Sequence, residues 1–385
     1  MHTRIHKNTI GGGAGTTLGS TLSAAMLLLT TLACQSAIAF DNTAEWPVTD
    51  FTNASIEFSE IMSGGPPKDG IPSIDDPKFI NNAEAAEWLG ENEPVIALAI
   101  GDSARAYPLQ ILTWHEIVND TVGGMPVSVT FCPLCNASIV FNRTIDGTVY
   151  DFGTTGRLRR SDMVMYDRQT ESWWQQFTGE GIVGEMNGVF MEQVPSHIVS
   201  FDSFKRTYPD GEVLSRETGT SRSYGRNPYE GYDDINSSPF LFRGKTDDRL
   251  PPMERVLALN KNDSTLLFGL STLKDKPVIN TEFAATPVTV FSFESMNSAL
   301  DKARISESRL IPSAAIYRAV IDDKKLSFAL KDGAAVDNET GSVWNIFGIA
   351  ESGPLAGKKL EQLDKGVHFA FAWFAFDPQA EVFKP

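Results

Sequence analysis

Cys132-Pro-Leu-Cys135 is the segment of this chain whose residue types and spacing best suit chemistry. Two thiols separated by two residues on a turn can point at one centre, as in a metal-binding knuckle. The same pair can cycle between dithiol and disulfide, or simply brace a tight turn. His115 offers an imidazole, and Met163 and Met165 offer thioethers. Soft sulfur donors select Cu(I), while Zn²⁺ accepts two thiolates, an imidazole and a fourth group. The first expectation is therefore a copper or zinc site drawn from Cys132, Cys135, His115, Met163 and Met165. Arg157, Arg159 and Arg160, together with Asp162, lie between Phe152 and Asp167. Guanidinium groups so close together could hold a small anion by bidentate hydrogen bonds. Each residue also has a plainer reading: a satisfied core histidine, methionine as core filler, arginines on a solvated loop.

An internal repeat helps to separate these readings. Asp167-Arg-Gln-Thr-Glu-Ser-Trp-Trp174 recurs as Asp337-Asn-Glu-Thr-Gly-Ser-Val-Trp344. Gly184 and Gly188 recur as Gly353 and Gly357. Asp102-Ser103 and Pro126-Val127 match Asp263-Ser264 and Pro287-Val288. A nearly constant lag of about 160–170 residues points to duplication of one unit, giving two tandem related lobes. Residues kept twice, such as His197 with His368 and Trp174 with Trp344, read as scaffold. Asn136 aligns with Asn297, but Phe293 and Met296 stand opposite the cysteines and Lys276 opposite His115. The two thiols and the imidazole at position 115 thus have no like residue opposite them in the second copy.

The elements that would position these groups are mostly short β-branched or aromatic segments: Val95–Ile100, Val127–Phe131, Ser138–Asn142, Thr148–Phe152 and Met163–Tyr166. Ala314–Val320 and Lys325–Leu330 read likewise in the second copy. A β-rich α+β fold follows, with lobe one over residues 94–214 and a degenerate lobe two over 255–385. Residues 40–93 read as an irregular segment with one short helix at Asn82–Leu89. Residues 215–254 read either as a flexible linker or as a strap held by its tyrosines. The Arg/Met segment is expected to be a loop that closes over the cysteine hairpin. A thiol-exchange fold would need a long helix after Cys135, whereas Asn136–Asn142 reads as a strand.

The first 39 residues have the order of a secretory signal peptide: a basic start, the apolar run Ala24–Leu32, then Ala37-Ile-Ala39. Export to the periplasm or the extracellular space is expected, with lipidation at Cys34 the less favoured outcome because Thr31 replaces a large aliphatic residue. No other stretch is apolar enough to cross a membrane. A net charge of −16 argues against nucleic acid as a partner. A small anion, or a protein that donates or accepts a metal, fits better. There is no Gly-x-Ser-x-Gly elbow, no phosphate-binding loop and no Cys-x-x-Cys-His haem motif to name a reaction.

Several separated motifs carry a family resemblance. They are Gly101-Asp-Ser-Ala-Arg-Ala-Tyr-Pro-Leu109, His115-Glu-Ile-Val-Asn-Asp120, Phe131-Cys-Pro-Leu-Cys-Asn136, Ser161-Asp-Met-Val-Met-Tyr-Asp-Arg168, Arg255-Val-Leu257, Gly353-Pro-Leu-Ala-Gly357 and the aromatic end Phe369–Phe376. The chain from about Pro94 to Pro385 resembles a family of exported prokaryotic proteins known only as domain of unknown function 3179. The resemblance implies a common fold and a shared site, and no established reaction. Phe371, with Trp373 alone after it, departs from the pattern of the aromatic end.

Overall fold

The computed structural model describes residues 44–261, 264–364 and 366–385. The expected signal peptide, Cys34 and the repeat residue Asp263 lie outside them. Short strands dominate, and the longest helices among the described residues span seven residues each: Leu109–His115, Phe201–Thr207 and Ala370–Phe376. The fold is β-rich, as expected.

The apolar run Pro94–Ile100 turns back to pair antiparallel with Ser103–Pro108. Helix Leu109–His115 follows and stops at Glu116, which caps it in the left-handed conformation. Ile117–Val122 and Met125–Cys132 then form a hairpin closed by Gly123 and Gly124, with φ of 55° and 82°. Two successive positive φ values give the turn whose twist matches that of the strands, and glycine adopts them without strain. Ala137–Asn142 extends this sheet. A second sheet contains Phe152–Arg159, Asp162–Asp167, Trp173–Gln175 and Glu180–Val183 in that order. His197–Ser200 returns to flank Pro94–Ile100, and Glu212–Leu214 runs parallel to Ser103–Pro108.

From Arg255 the order starts again. Arg255–Lys261 pairs with Ser264–Gly269, a short helix follows at Leu270–Asp275, and Val278–Phe283, Thr286–Asn297 and Leu310–Arg318 form a sheet. Phe328–Lys331, Ala334–Asp337, Val343–Trp344 and Ala350–Ser352 form the next. Val367–Phe369 flanks Arg255–Lys261, and Glu381–Val382 runs parallel to Ser264–Gly269. The repeated Asp-x-x-Thr-x-Ser-x-Trp segments make the same local closure. Trp174 Nε1 donates to Asp167 Oδ2 at 2.9 Å, and Trp344 Nε1 donates to Asp337 Oδ2 at 2.9 Å. Thr170 N and Thr340 N each donate to the partner Oδ1 at 2.6 Å.

Four expectations change. The Arg/Met segment is not a covering loop: Phe152–Arg159 and Asp162–Asp167 pair as a hairpin around Arg160 and Ser161. Thr148–Phe152 is broken, since Thr148–Val149 pairs with Thr144–Ile145 and Phe152 opens the next strand. Lys325–Leu330 is broken in the same way between Lys324–Lys325 and Phe328–Lys331. The helix near Asn82 spans Asn82–Ala85, started by a capping box of Asn81 and Glu84.

Residues 215–254 contain no helix or strand, yet they lie against the body through Tyr224, Tyr229 and Tyr232. Residues Asn42–Pro385 make one compact unit. Both apolar clusters draw on both halves. The larger runs from Ile74 to Ala380, and the smaller joins Val95, Phe201 and Phe204 to Phe291, Tyr317 and Trp344.

A buried cysteine–carboxylate centre

Cys132 ends its strand opposite Ala137, which begins the next. Between them the chain turns tightly, with Asn136 N donating to Pro133 O at 3.2 Å and Asn136 at φ 48°. Asparagine tolerates that conformation better than most residues. The turn is clamped from outside. Phe369 N donates to Cys135 O at 2.8 Å, and Asn136 Nδ2 donates to Val367 O at 3.1 Å. From the 215–254 segment, the Tyr232 hydroxyl donates to Leu134 O at 2.9 Å.

Both cysteines are free thiols, 1% and 0% exposed. Cys135 Sγ donates to Ser161 O at 3.5 Å. Beside Ser161, Asp162 is fully buried, and one of its carboxylate oxygens lies within 4.8 Å of both sulfurs, which are as close to each other. Its Oδ2 accepts from Gln175 Nε2 at 2.6 Å and from Phe177 N at 2.9 Å. The thiols approach the carboxylate and favour its charge, but Oδ1 closes no hydrogen bond of good geometry. Glu116 is the fourth acid here: it is buried, it interacts with Asp162 and Cys132, and the Tyr229 hydroxyl approaches it.

Burial governs the charges. It pushes Asp162 up to about 7 against its hydrogen bonds from Gln175 and Phe177. Burial, with Asp162 as a neighbouring acid, pushes Glu116 up to about 8. It also raises the Cys132 thiol, and the Cys135 thiol well above its ordinary value. No arginine, lysine or histidine is among the main influences on these four groups. Arg255 reaches the turn at Asn136 Oδ1, but it is paired with Asp233 at 2.8 Å.

The backbone around the centre is strained. Glu116, Asn136, Arg160 and Ser161 have φ of 61°, 48°, 55° and 69°. Each non-glycine residue in that region costs about 1 kcal/mol or more, and such residues gather at functional sites.

The other expected ligands are placed as follows. His115 is buried with both ring nitrogens engaged: Nδ1 donates to Pro72 O at 2.7 Å, so Nε2 accepts from the Tyr224 hydroxyl at 2.7 Å. It is not in the converging group, whose third member is Asp162. Met163 and Met165 are buried in the same large apolar cluster as the cysteines. The arginines face acids: Arg157 pairs with Glu45 at 3.3 Å, and Arg159 and Arg160 pair with Glu60 at 3.0 and 3.2 Å. Asp162, grouped with the arginines on sequence grounds, joins the thiols. Glu116, Tyr229 and Tyr232 escaped sequence reading as site residues. The only signals were Glu116 beside His115 in a distinctive motif and the density of tyrosines in the strap.

No described helix is long and apolar enough to cross a membrane. No curated protein and no solved structure matches the chain. A family model described as "Protein of unknown function (DUF3179)" matches residues 68–380, a span that takes in both halves and every residue of the centre. The chain belongs to the DUF3179 family.

Proposed function

We propose that the protein binds a metal ion, zinc in preference to copper, through Cys132, Cys135 and Asp162. One observation carries this reading: two thiols and a carboxylate converge in a fully buried place, Asp162 Oδ1 closes no hydrogen bond of good geometry, and no arginine, lysine or histidine is among the main influences on the three groups. Buried acids left unpaired cost several kcal/mol, and either protons or a metal must neutralise them. Two sulfurs and one oxygen suit Zn²⁺, whereas Cu(I) favours an all-soft set. Ligand atoms of a tetrahedral zinc stand about 3.3–3.8 Å apart, so the three groups need draw together only slightly. Glu116 and Tyr229 would then orient or hydrogen-bond the ligands from outside. The thiol-exchange reading is less well supported, because burial raises both thiols and leaves little thiolate to react.

Metal content of the purified protein, measured after equilibration with Zn²⁺ and removal of free ion, tests the proposal. One equivalent of zinc per chain is expected, lost in both Cys132→Ser and Asp162→Asn. Retention of the metal in either variant, or a wild type that takes up none, overturns it. Export, in turn, rests on the first 39 residues alone. It predicts that the mature protein begins at or near Phe40, as N-terminal sequencing of the secreted fraction would read.

A further inference from the structure

A cleft of about 490 Å³ opens where the first half, the strap and the second half meet, lined by Trp88, Arg216, Arg226, Arg304 and the serines Ser223 and Ser306. The backbone fixes two of its arginines. Arg226 and Arg304 face each other in an antiparallel bridge, flanked by Asn227 N to Ala303 O at 2.9 Å and Ile305 N to Gly225 O at 3.1 Å. Because the flanking residues exchange those hydrogen bonds, Arg226 and Arg304 form a non-hydrogen-bonded pair. In that geometry the Cα atoms approach to about 4.5 Å and the side chains leave from the same face. Like charges so placed repel. Among the described residues Arg226 has no side-chain hydrogen bond or ion pair, and Arg304 meets only Glu307 at 3.4 Å in a solvent-open contact.

Arg216 adds a third positive group. Its guanidinium lies 4.3 Å from the centre of the Trp88 ring, and its Nε donates to Gln110 Oε1 at 3.2 Å. The acid in the lining, Glu93, is 4% exposed, and its oxygens already accept from Gln110 Nε2 and Gly90 N. Three arginines, two from the strap and one from the second half, thus meet at one opening in a chain of net charge −16. By contrast, Arg157, Arg159 and Arg160 are held by part-buried carboxylates, whereas the one carboxylate on Arg304 is open to solvent.

We infer that this cleft binds a tetrahedral oxyanion, the phosphate group of a small phosphorylated molecule. Guanidinium forks and serine hydroxyls supply donors from several directions, which suits the oxygens of a phosphate better than the two of a carboxylate. The volume falls in the range of small-molecule sites and exceeds what a bare ion needs. The site stands independently of the metal centre.

Calorimetric titration with inorganic phosphate at fixed ionic strength is the test, with succinate as the planar-carboxylate comparison. Wild type should bind phosphate saturably at one site and succinate at least tenfold more weakly. The double variant Arg226→Ala/Arg304→Ala should lose at least tenfold in phosphate affinity, and Arg226→Lys should fall between. Without phosphate, the double variant should melt no lower than wild type, because a repulsive pair has been removed. Absence of saturable phosphate binding, equal affinity for succinate, unchanged affinity in the double variant, or a melting temperature well below wild type would each overturn the inference.

Discussion

Asp162 decides the character of the centre. Without it, the two thiols would be a buried pair in an apolar turn. With it, an acid whose folded-state pKa is about 7 stands against sulfur with one oxygen unsatisfied. The sign of the resulting pH dependence is fixed. In the metal-free protein the folded pKa is raised above the unfolded value, so the stability it contributes is full below pH ~4 and is lost as pH rises through ~7. The loss should be about 2–4 kcal/mol for this residue. Urea unfolding in chelator between pH 4.5 and 8 should show a slope that Asp162→Asn reduces and that Glu116, raised to about 8, keeps in part, and equal slopes in the two proteins would refute the assignment. With metal present the trend reverses, because rising pH frees the ligands of protons. Of this centre, the cysteine pair was legible in the sequence, since thiols are rare in the chain and its spacing is recognisable. His115 misled because imidazole is an equally good core donor, and here Pro72 and Tyr224 use both nitrogens. Asp162 was visible as a residue but not as a neighbour of the thiols, because the turn that carries it toward Cys135 has no sequence signature.

That turn shows what can be read at the level of elements. Arg160 and Ser161 both take positive φ without glycine or asparagine, so nothing in the sequence marks a hairpin there. The Asp-x-x-Thr-x-Ser-x-Trp closures were legible because their side chains satisfy groups within a few residues, and local hydrogen bonding leaves a spacing that repeats. A comparable contrast separates the hairpins that follow the short helix in each half. Gly123-Gly124 closes the first, but Ala284 and Ala285 close the second at φ 44° and 59°. Alanine in that region is strained by about 1 kcal/mol, more than glycine's extra freedom in the unfolded chain takes back. Replacing either alanine by glycine should therefore raise unfolding free energy by up to about 0.5 kcal/mol. A fall in the urea midpoint for Ala285→Gly would show that the turn is not held in this conformation. Removing the acid of a closure should act the other way. Asp337→Ala strands the buried Trp344 Nε1 and the Thr340 amide, and should cost about 2–3 kcal/mol in the same measurement.

Across the molecule, the halves are tied by reciprocal contacts that a one-dimensional pattern cannot show. The recurring segments were visible in the sequence, but the sharing of both apolar clusters was not, because packing partners lie well over a hundred residues apart. His197 of the first half bonds Tyr317 Oη at 2.8 Å and meets Phe347 edge-on at 4.9 Å, both in the second half. His368 of the second half accepts from Trp373 Nε1 at 3.2 Å and meets Phe177 of the first at 5.0 Å. Burial lowers both histidines to about 3. Their unfolded value is about 6.5, so here the folded pKa is the depressed one. The stability they contribute is complete above pH ~6.5 and is lost as pH falls toward 3, by several kcal/mol between them. Two consequences are testable together. Unfolding followed by tryptophan fluorescence and by far-ultraviolet circular dichroism should give one coincident transition, since neither half keeps a core without the other. The double variant His197→Gln/His368→Gln should be weaker at neutral pH, yet lose stability less steeply between pH 6.5 and 4. Separate transitions would mean that the halves fold independently, and an unchanged acid slope would mean that the two imidazoles are not held neutral at the crossing.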